Sequence, residues 1–236
     1  MENNHAYNRA NFFPFMEKKQ LNPPYVQVAL DVPDWEVQKK VLSALPKSDK
    51  LILEAGTPLI KRYGIEIVSK IKEFFPNNIV LADLKTLDVG AIEVNFTHDA
   101  GAHAAVVSGL ANKLSIDKFL AECDKLGVIG VMDMMELSDP MDKIKSLEQK
   151  PDILIFHRGI DTESGETNPK KKWKLIPQIK DYFSPEHNAL LSVAGGVNPK
   201  SGKEALEMGA DILIVGRFIT GAENVEKAAN EMLNIL

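Results

Sequence analysis

One cysteine, Cys123, occurs in 236 residues, and that excludes an internal disulfide framework. Positive charge is in deficit as well: 28 Lys and Arg stand against 33 Asp and Glu, for a formal net charge of −5. Broad electrostatic binding to nucleic acid or to an anionic bilayer is therefore disfavoured, and any anionic ligand must be held by a local site. Aromatic residues make up 7% of the chain. Its two tryptophans, Trp35 and Trp173, read as packing residues and not as stacking platforms for bases. Long apolar runs are missing, so a membrane bundle is excluded. The first 24 residues are polar and Asn-rich, with only the short patch Phe12-Phe13-Pro14-Phe15. They carry no pattern of a cleavable signal, which predicts a cytoplasmic protein.

What is present is the balance of a globular protein, 44% hydrophobic and 26% charged, with a length suited to one large domain. Eight short apolar runs recur: Val26 to Asp31, Leu51 to Glu54, Ile79 to Asp83, Ala104 to Gly109, Val128 to Asp133, Ile153 to His157, Leu190 to Ala194 and Ile212 to Gly216. They read as buried parallel strands. The segments between them have helical periodicity, as in Leu59, Ile60, Tyr63, Ile67, Val68, Ile71 and Phe75, and those apolar stripes need a sheet to cover. Eight strand-then-helix units with right-handed crossovers close into an α/β (β/α)8 TIM barrel. A weak internal echo agrees: Gly101 and Gly209 each sit where a helix C-cap feeds the next strand. The expected organisation is an N-terminal extension over residues 1–24, covering the barrel floor or a partner subunit, and one barrel domain over 25–236. Between the sixth and seventh strands, Thr162 to Lys174 forms a polar, lysine-rich insertion, read as a solvated surface loop, with a flap over an anionic substrate as the sharper alternative.

In such barrels chemistry gathers at the C-terminal ends of the strands. Here Asp31, Glu54, Asp83, Asp133 and His157 all end apolar runs, and Lys85 follows the third. One acid at a strand end is most simply a cap or a solvated loop residue, but five polar ends on one rim imply a site. Crowded carboxylates must bind a cation or give up part of their charge. Asp83 and Lys85, two apart on an extended strand end, project to the same side. Asp88 reads either as a charge on the helix dipole or as part of a relay keeping Lys85 cationic. Gly195 and Gly196 after the seventh strand, with Gly216 and Arg217 after the eighth, read as a phosphate site: glycine lets backbone amides approach the anion and arginine adds a fork. His98 and His103 read as residues of a helix end, His5 and His187 as lying in polar segments without a site, and Cys123 as an inert core residue.

Asp83-x-Lys85-x-x-Asp88, with Asp31 ending the first strand, resembles the orotidine 5'-monophosphate decarboxylase superfamily over about residues 25 to 236. The metal-free decarboxylases of that superfamily carry lysine at the end of strand two, whereas this chain has Glu54, as the metal-dependent branches do. Asp133 in strand five and the pattern His157-x-Gly159-x-Asp161 after strand six are similar to the 3-hexulose-6-phosphate synthase branch, from which Arg158 and the lysine-rich insertion depart. The 3-keto-L-gulonate 6-phosphate decarboxylase branch has glutamate at strand five and an arginine where Ile160 stands, and ranks second. The resemblance implies aldol addition of formaldehyde to ribulose 5-phosphate, or its reverse, in a homodimer. It further implies Mg²⁺ on Glu54 and Asp83, and catalytic roles for Lys85, Asp133 and His157. Asp31 and Asp161 would bind substrate, the glycines and Arg217 the phosphate, and Asp88 would enter the neighbouring subunit's site. Two readings outside it remain: Lys85 as a Schiff-base nucleophile, disfavoured because flanking carboxylates keep it protonated, and a phosphosugar-binding barrel without chemistry.

Overall fold

Eight parallel strands hydrogen-bond in sequence order and close on themselves, the first pairing with the last. They are β1 (Tyr25–Leu30), β2 (Leu51–Ala55), β3 (Ile79–Thr86), β4 (Ala104–Ser108), β5 (Ile129–Asp133), β6 (Ile153–His157), β7 (Leu190–Ala194) and β8 (Ile212–Val215). This computed structural model describes residues 17–159, 173–183 and 187–236. Between and after the strands run α1 (Trp35–Ala44), α2 (Thr57–Tyr63), α3 (Ile67–Phe74), α4 (Gly90–Asp99), α5 (Lys113–Leu126), α6 (Pro140–Ser146), α7 (Ile176–Tyr182), α8 (Pro199–Glu207), α9 (Arg217–Thr220) and α10 (Val225–Leu233). The expected (β/α)8 barrel is the observed one. No helix among the described residues is long and apolar enough to cross a membrane.

Strand alternation divides the core into two layers. Ala29, Ile52, Leu81, Val106, Val131, Ile155 and Ile214 fill the barrel interior. Their neighbours Val28, Leu53, Val80, Ala105, Met132, Leu154 and Leu213 face outward and bury the apolar stripes of the helices. Trp173, 2% exposed, and Trp35, edge-on to Phe74 at 6.3 Å, are packing residues. Helix starts are set by short polar side chains. Asp34, Asn112, Asp139, Asn198 and Asn224 each accept hydrogen bonds from first-turn amides, caps worth typically about 1 kcal/mol each.

Two local expectations change. The stripe from Leu59 to Phe75 is not one helix: Gly64, at φ +78°, ends α2 with its amide on the Ile60 carbonyl, and α3 restarts at Ile67. Nor does α4 begin at Asp88. Its N-cap is Val89, at φ +50°, and the cap receives no side-chain hydrogen bond.

The described part of the N-terminal extension lies across the barrel floor. Lys18 pairs with Asp124 and Asp152, at 2.7 and 2.8 Å. Lys19 donates to the Asn77 carbonyl and Lys50 to that of Asn22, while Leu21 packs on the inner core. His103 also belongs to this end. It accepts a hydrogen bond from the Val80 amide through Nδ1, and burial together with Lys19 and Lys72 pushes its pKa down to about 3. His103 is thus a neutral structural residue rather than a helix-end residue. His98 stays in the last turn of α4, 3.4 Å from Asp99, and His187 caps the Pro151 carbonyl. The insertion expected from Thr162 lies outside the described residues as far as residue 172.

Candidate active site

The alternation that buries Ala29, Ile52, Leu81, Val131 and Ile155 puts the next inward positions at the mouth of the barrel. Those positions are Asp31, Glu54, Asp83, Asp133 and His157, so five side chains in or just past five strands meet there because the alternation runs as far as each of them. Lys85 joins them by a different route. The β3 to β4 register shifts between Ala82 and Thr86, and Lys85 takes a left-handed φ of +47°. The expected same-side projection of Asp83 and Lys85 is thereby reached through a bulge and a strained residue, not through a regular strand.

Lys85 Nζ lies 2.5 Å from Asp83 Oδ2 and 3.2 Å from Asp133 Oδ2. Burial alone would lower the lysine's pKa, but the two carboxylates outweigh it and hold the group well above its ordinary range. A lysine so held is a fixed cation, poorly suited to Schiff-base formation. Asp133 is the centre of the group. Its Oδ2 also accepts from His157 Nδ1 at 2.8 Å, and its Oδ1 accepts the Met135 amide at 2.9 Å. Burial favours the neutral acid, yet the bond to His157 and the charges of His157 and Lys85 hold Asp133 below the usual carboxylate range. With Nδ1 committed to Asp133, Nε2 is the imidazole nitrogen left for proton transfer.

Glu54 and Asp83 face a different demand. Glu54 is buried in β2, its Oε2 accepting from the Gln27 amide at 2.6 Å. Burial, then Asp83, then Asp31 push its pKa up to about 8, against the opposing effects of Gln27 and Lys85. Asp31 is likewise raised, by burial and by Asp83. Asp83 Oδ1 is buried with no hydrogen-bond partner among the described residues. Crowded acids with an open oxygen fit a hard divalent cation, and two protein oxygens would leave the remaining positions to water or substrate. Among the described residues no cluster of three or more His, Cys, Asp or Glu side chains is arranged to hold an ion.

Across the mouth, β7 runs into Gly195 and Gly196, at φ +97° and +70°. A side chain at Gly195 would meet the Arg158 carbonyl at 2.4 Å, so only glycine fits this turn. Arg158 Nη2 donates to the Gly195 carbonyl at 3.4 Å and its amide to Ala194 at 3.2 Å. After the neighbouring strand β8, Gly216 is the N-cap and Arg217 the first residue of α9, and Arg217 is exposed. Asp31 faces this side: a Cβ on Gly216 would lie 3.7 Å from its Oδ2.

Asp88 does not join the group. It is exposed, its Oδ1 3.4 Å from Ser115 Oγ, whereas the acids on Lys85 are Asp83 and Asp133. A relay from Asp88 to Lys85 within one chain is therefore not what holds this lysine. Asp161 lies outside the described residues. Three contributors carried no signal of their own in the sequence: Gln27, Thr57 and Arg158. The first two are single polar residues in a strand and at a helix start, and Arg158 stood out only as a departure from the family pattern.

The Orotidine 5'-phosphate decarboxylase / HUMPS family model matches residues 24–232. The chain is 42% identical over 225 residues to the bifunctional enzyme Fae/Hps of Methanosphaera stadtmanae, covering 94% of this chain and 55% of that protein. It is 44% identical over 222 residues to the protein of the same name from Methanoculleus marisnigri, covering 94% and 55%. It thus spans about half the length of these curated relatives. Among solved structures, 3-hexulose-6-phosphate synthase from Salmonella typhimurium superposes with a TM-score of 0.79 at 29% identity, over 90% of this chain and 98% of that one. By the extent of that match, and by a mouth that brings together Asp31, Asp83 and Lys85 of the motif that first suggested it, the chain belongs to the orotidine 5'-phosphate decarboxylase / HUMPS family.

Proposed function

We propose that this chain is a lyase of the aldolase type that adds formaldehyde to ribulose 5-phosphate, acting as a 3-hexulose-6-phosphate synthase with Mg²⁺. The observation that carries the reading is Asp133 Oδ2, shared between the Lys85 ammonium and His157 Nδ1. An aldol step needs a fixed cation beside a developing enediolate and a base that can carry one proton, and this bridge sets both in one place.

Removal of a proton from C1 of the ketose leaves an enediolate, and the ammonium of Lys85 stabilises its charge without reorganising. C1 then bonds to the formaldehyde carbon, and the aldehyde oxygen takes up a proton. One proton leaves C1 and one is delivered to that oxygen, so a single imidazole, His157 held in one tautomer by Asp133, serves both transfers. Asp31 orients a sugar hydroxyl. Gly195, Gly196, Gly216 and Arg217 take the phosphate, and Asp161 adds a substrate contact. Glu54 and Asp83 would hold Mg²⁺, whose chemistry is to polarise the carbonyl and its neighbouring hydroxyl.

The assembly is a homodimer with shared sites. Beside the outward-facing Asp88 lies an apolar surface of Leu87, Val89, Ile92, Phe96, Leu110 and Leu114, each about half exposed or more. Such a patch supports a second copy covering it, with Asp88 completing that copy's site.

Ribulose 5-phosphate incubated with formaldehyde and Mg²⁺ is expected to disappear one for one with formaldehyde, and excess EDTA is expected to stop the reaction. Faster release of CO2 from 3-keto-L-gulonate 6-phosphate or orotidine 5'-phosphate, without formaldehyde consumption, would overturn the assignment.

A further inference from the structure

Gln27 is an unusual residue for its place. It sits in β1 between Tyr25 and Ala29, pointing into the apolar barrel interior, and is 1% exposed. A buried amide there costs free energy unless it is paired. Its pairing is the 2.6 Å bond to Glu54 Oε2, two residues further along the adjacent strand than its own register partner Ile52. Thr57, the first residue of α2, stands in a comparable relation to Asp83. Its hydroxyl lies 2.9 Å from Asp83 Oδ2 and 2.8 Å from the Asp83 carbonyl. Lys85 approaches the same Oδ2. Thr57 and Lys85 thus converge on one oxygen of Asp83, and the buried Oδ1 is left without a partner among the described residues.

We infer that Gln27 and Thr57 are positioning residues that hold Glu54 and Asp83 each by one oxygen, so that the other oxygen of each is presented to a divalent cation. This rests on the cation reading of the site given above. A carboxylate free to rotate would lose affinity through the ordering of its torsions on binding; one pinned through a single oxygen has already met that cost. Partners of this kind behind a metal ligand commonly change affinity about 10- to 100-fold when removed. A filler of the core, by contrast, would alter melting and leave the affinity of the folded protein unchanged.

The test uses the substrate-free full chain and Mn²⁺ as the probe, with binding read by electron paramagnetic resonance and by calorimetry. Gln27→Met keeps the length of the side chain and removes its donor; Thr57→Val keeps the shape and removes the hydroxyl; Thr57→Ser restores it. Weaker Mn²⁺ binding, by about 10- to 100-fold, is expected for the first two, with Thr57→Ser close to the unaltered protein. Should Gln27→Met fail to fold, Thr57→Val, on a different element and at a half-buried position, decides the inference alone. Equal Mn²⁺ affinity in Thr57→Val and the unaltered chain would overturn it while leaving the cation reading intact. If the unaltered chain binds no Mn²⁺, both fall together.

Discussion

Glu54 is a residue whose protonation depends strongly on its surroundings. The fold holds its carboxyl near 8, while the unfolded chain returns it to about 4.5. Over that interval the native state keeps a proton that the unfolded state has lost, so stability falls as pH rises from about 4.5 to about 8 and levels above it. Metal-free protein in EDTA is therefore expected to melt at a lower temperature at pH 8 than at pH 5.5, and Glu54→Gln to reduce the difference. Parallel pH dependences in the two proteins would contradict the assignment. Gly56 acts by leaving space. A Cβ there would fall 2.1 Å from Asp31 Oδ1 and 2.9 Å from the Leu30 carbonyl. Gly56→Ala is expected to cost about 1–3 kcal/mol in urea unfolding and to raise KM by displacing Asp31. At this scale the sequence was informative where a polar residue ended an apolar run, as with Asp31, Glu54, Asp83, Asp133 and His157. Gln27 and Thr57 escaped because a side chain that acts by hydrogen-bonding another carries no pattern of its own.

The element that positions Lys85 is the connection from β3 to α4. Lys85 and Val89 are both left-handed without being glycine, each a strain of about 1–3 kcal/mol that its surroundings must sustain. A bond from the buried Thr86 hydroxyl to the Glu93 carboxylate ties the strand end to the first turn of α4. Gly90 lets that helix press against α5, since a Cβ would meet Phe119 Cβ and the Ser115 carbonyl at 2.8 Å. Glu93→Ala is expected to lower kcat by on the order of tenfold, since small displacements of a catalytic group are costly, with little change in the binding of inorganic phosphate. An unchanged kcat would show that the loop holds Lys85 without this tie. None of this was legible in Asp83-x-Lys85, where a period of two correctly placed the charges together but could not indicate a bulge. The break at Gly64 was hidden for a related reason: apolar residues on both sides keep helical spacing, so the stripe reads through the interruption.

The whole molecule was the most legible scale, because eight apolar runs at similar intervals admit few arrangements besides a closed barrel, and the structure has that barrel. For the proposed dimer the resemblance was the sequence's pointer, and the structure adds Leu87, Val89, Ile92 and Phe96 at the surface. If Asp88 completes the partner's site, inactive Lys85→Ala and Asp88→Ala chains mixed at random are expected to recover roughly a quarter of full activity, since half the dimers are mixed and each has one intact site. Mixed dimers verified by mass and still inactive would exclude shared sites. The central claim is that Lys85, Asp133 and His157 together generate an enediolate from ribulose 5-phosphate. Proton NMR in D2O with Mg²⁺ and no formaldehyde tests it most directly. The account predicts that one C1 hydrogen of ribulose 5-phosphate exchanges with solvent in the unaltered protein and is retained with Lys85→Ala or His157→Asn. Retention of both C1 hydrogens by an enzyme that consumes formaldehyde in a parallel tube, or undiminished exchange in the two variants, would contradict it.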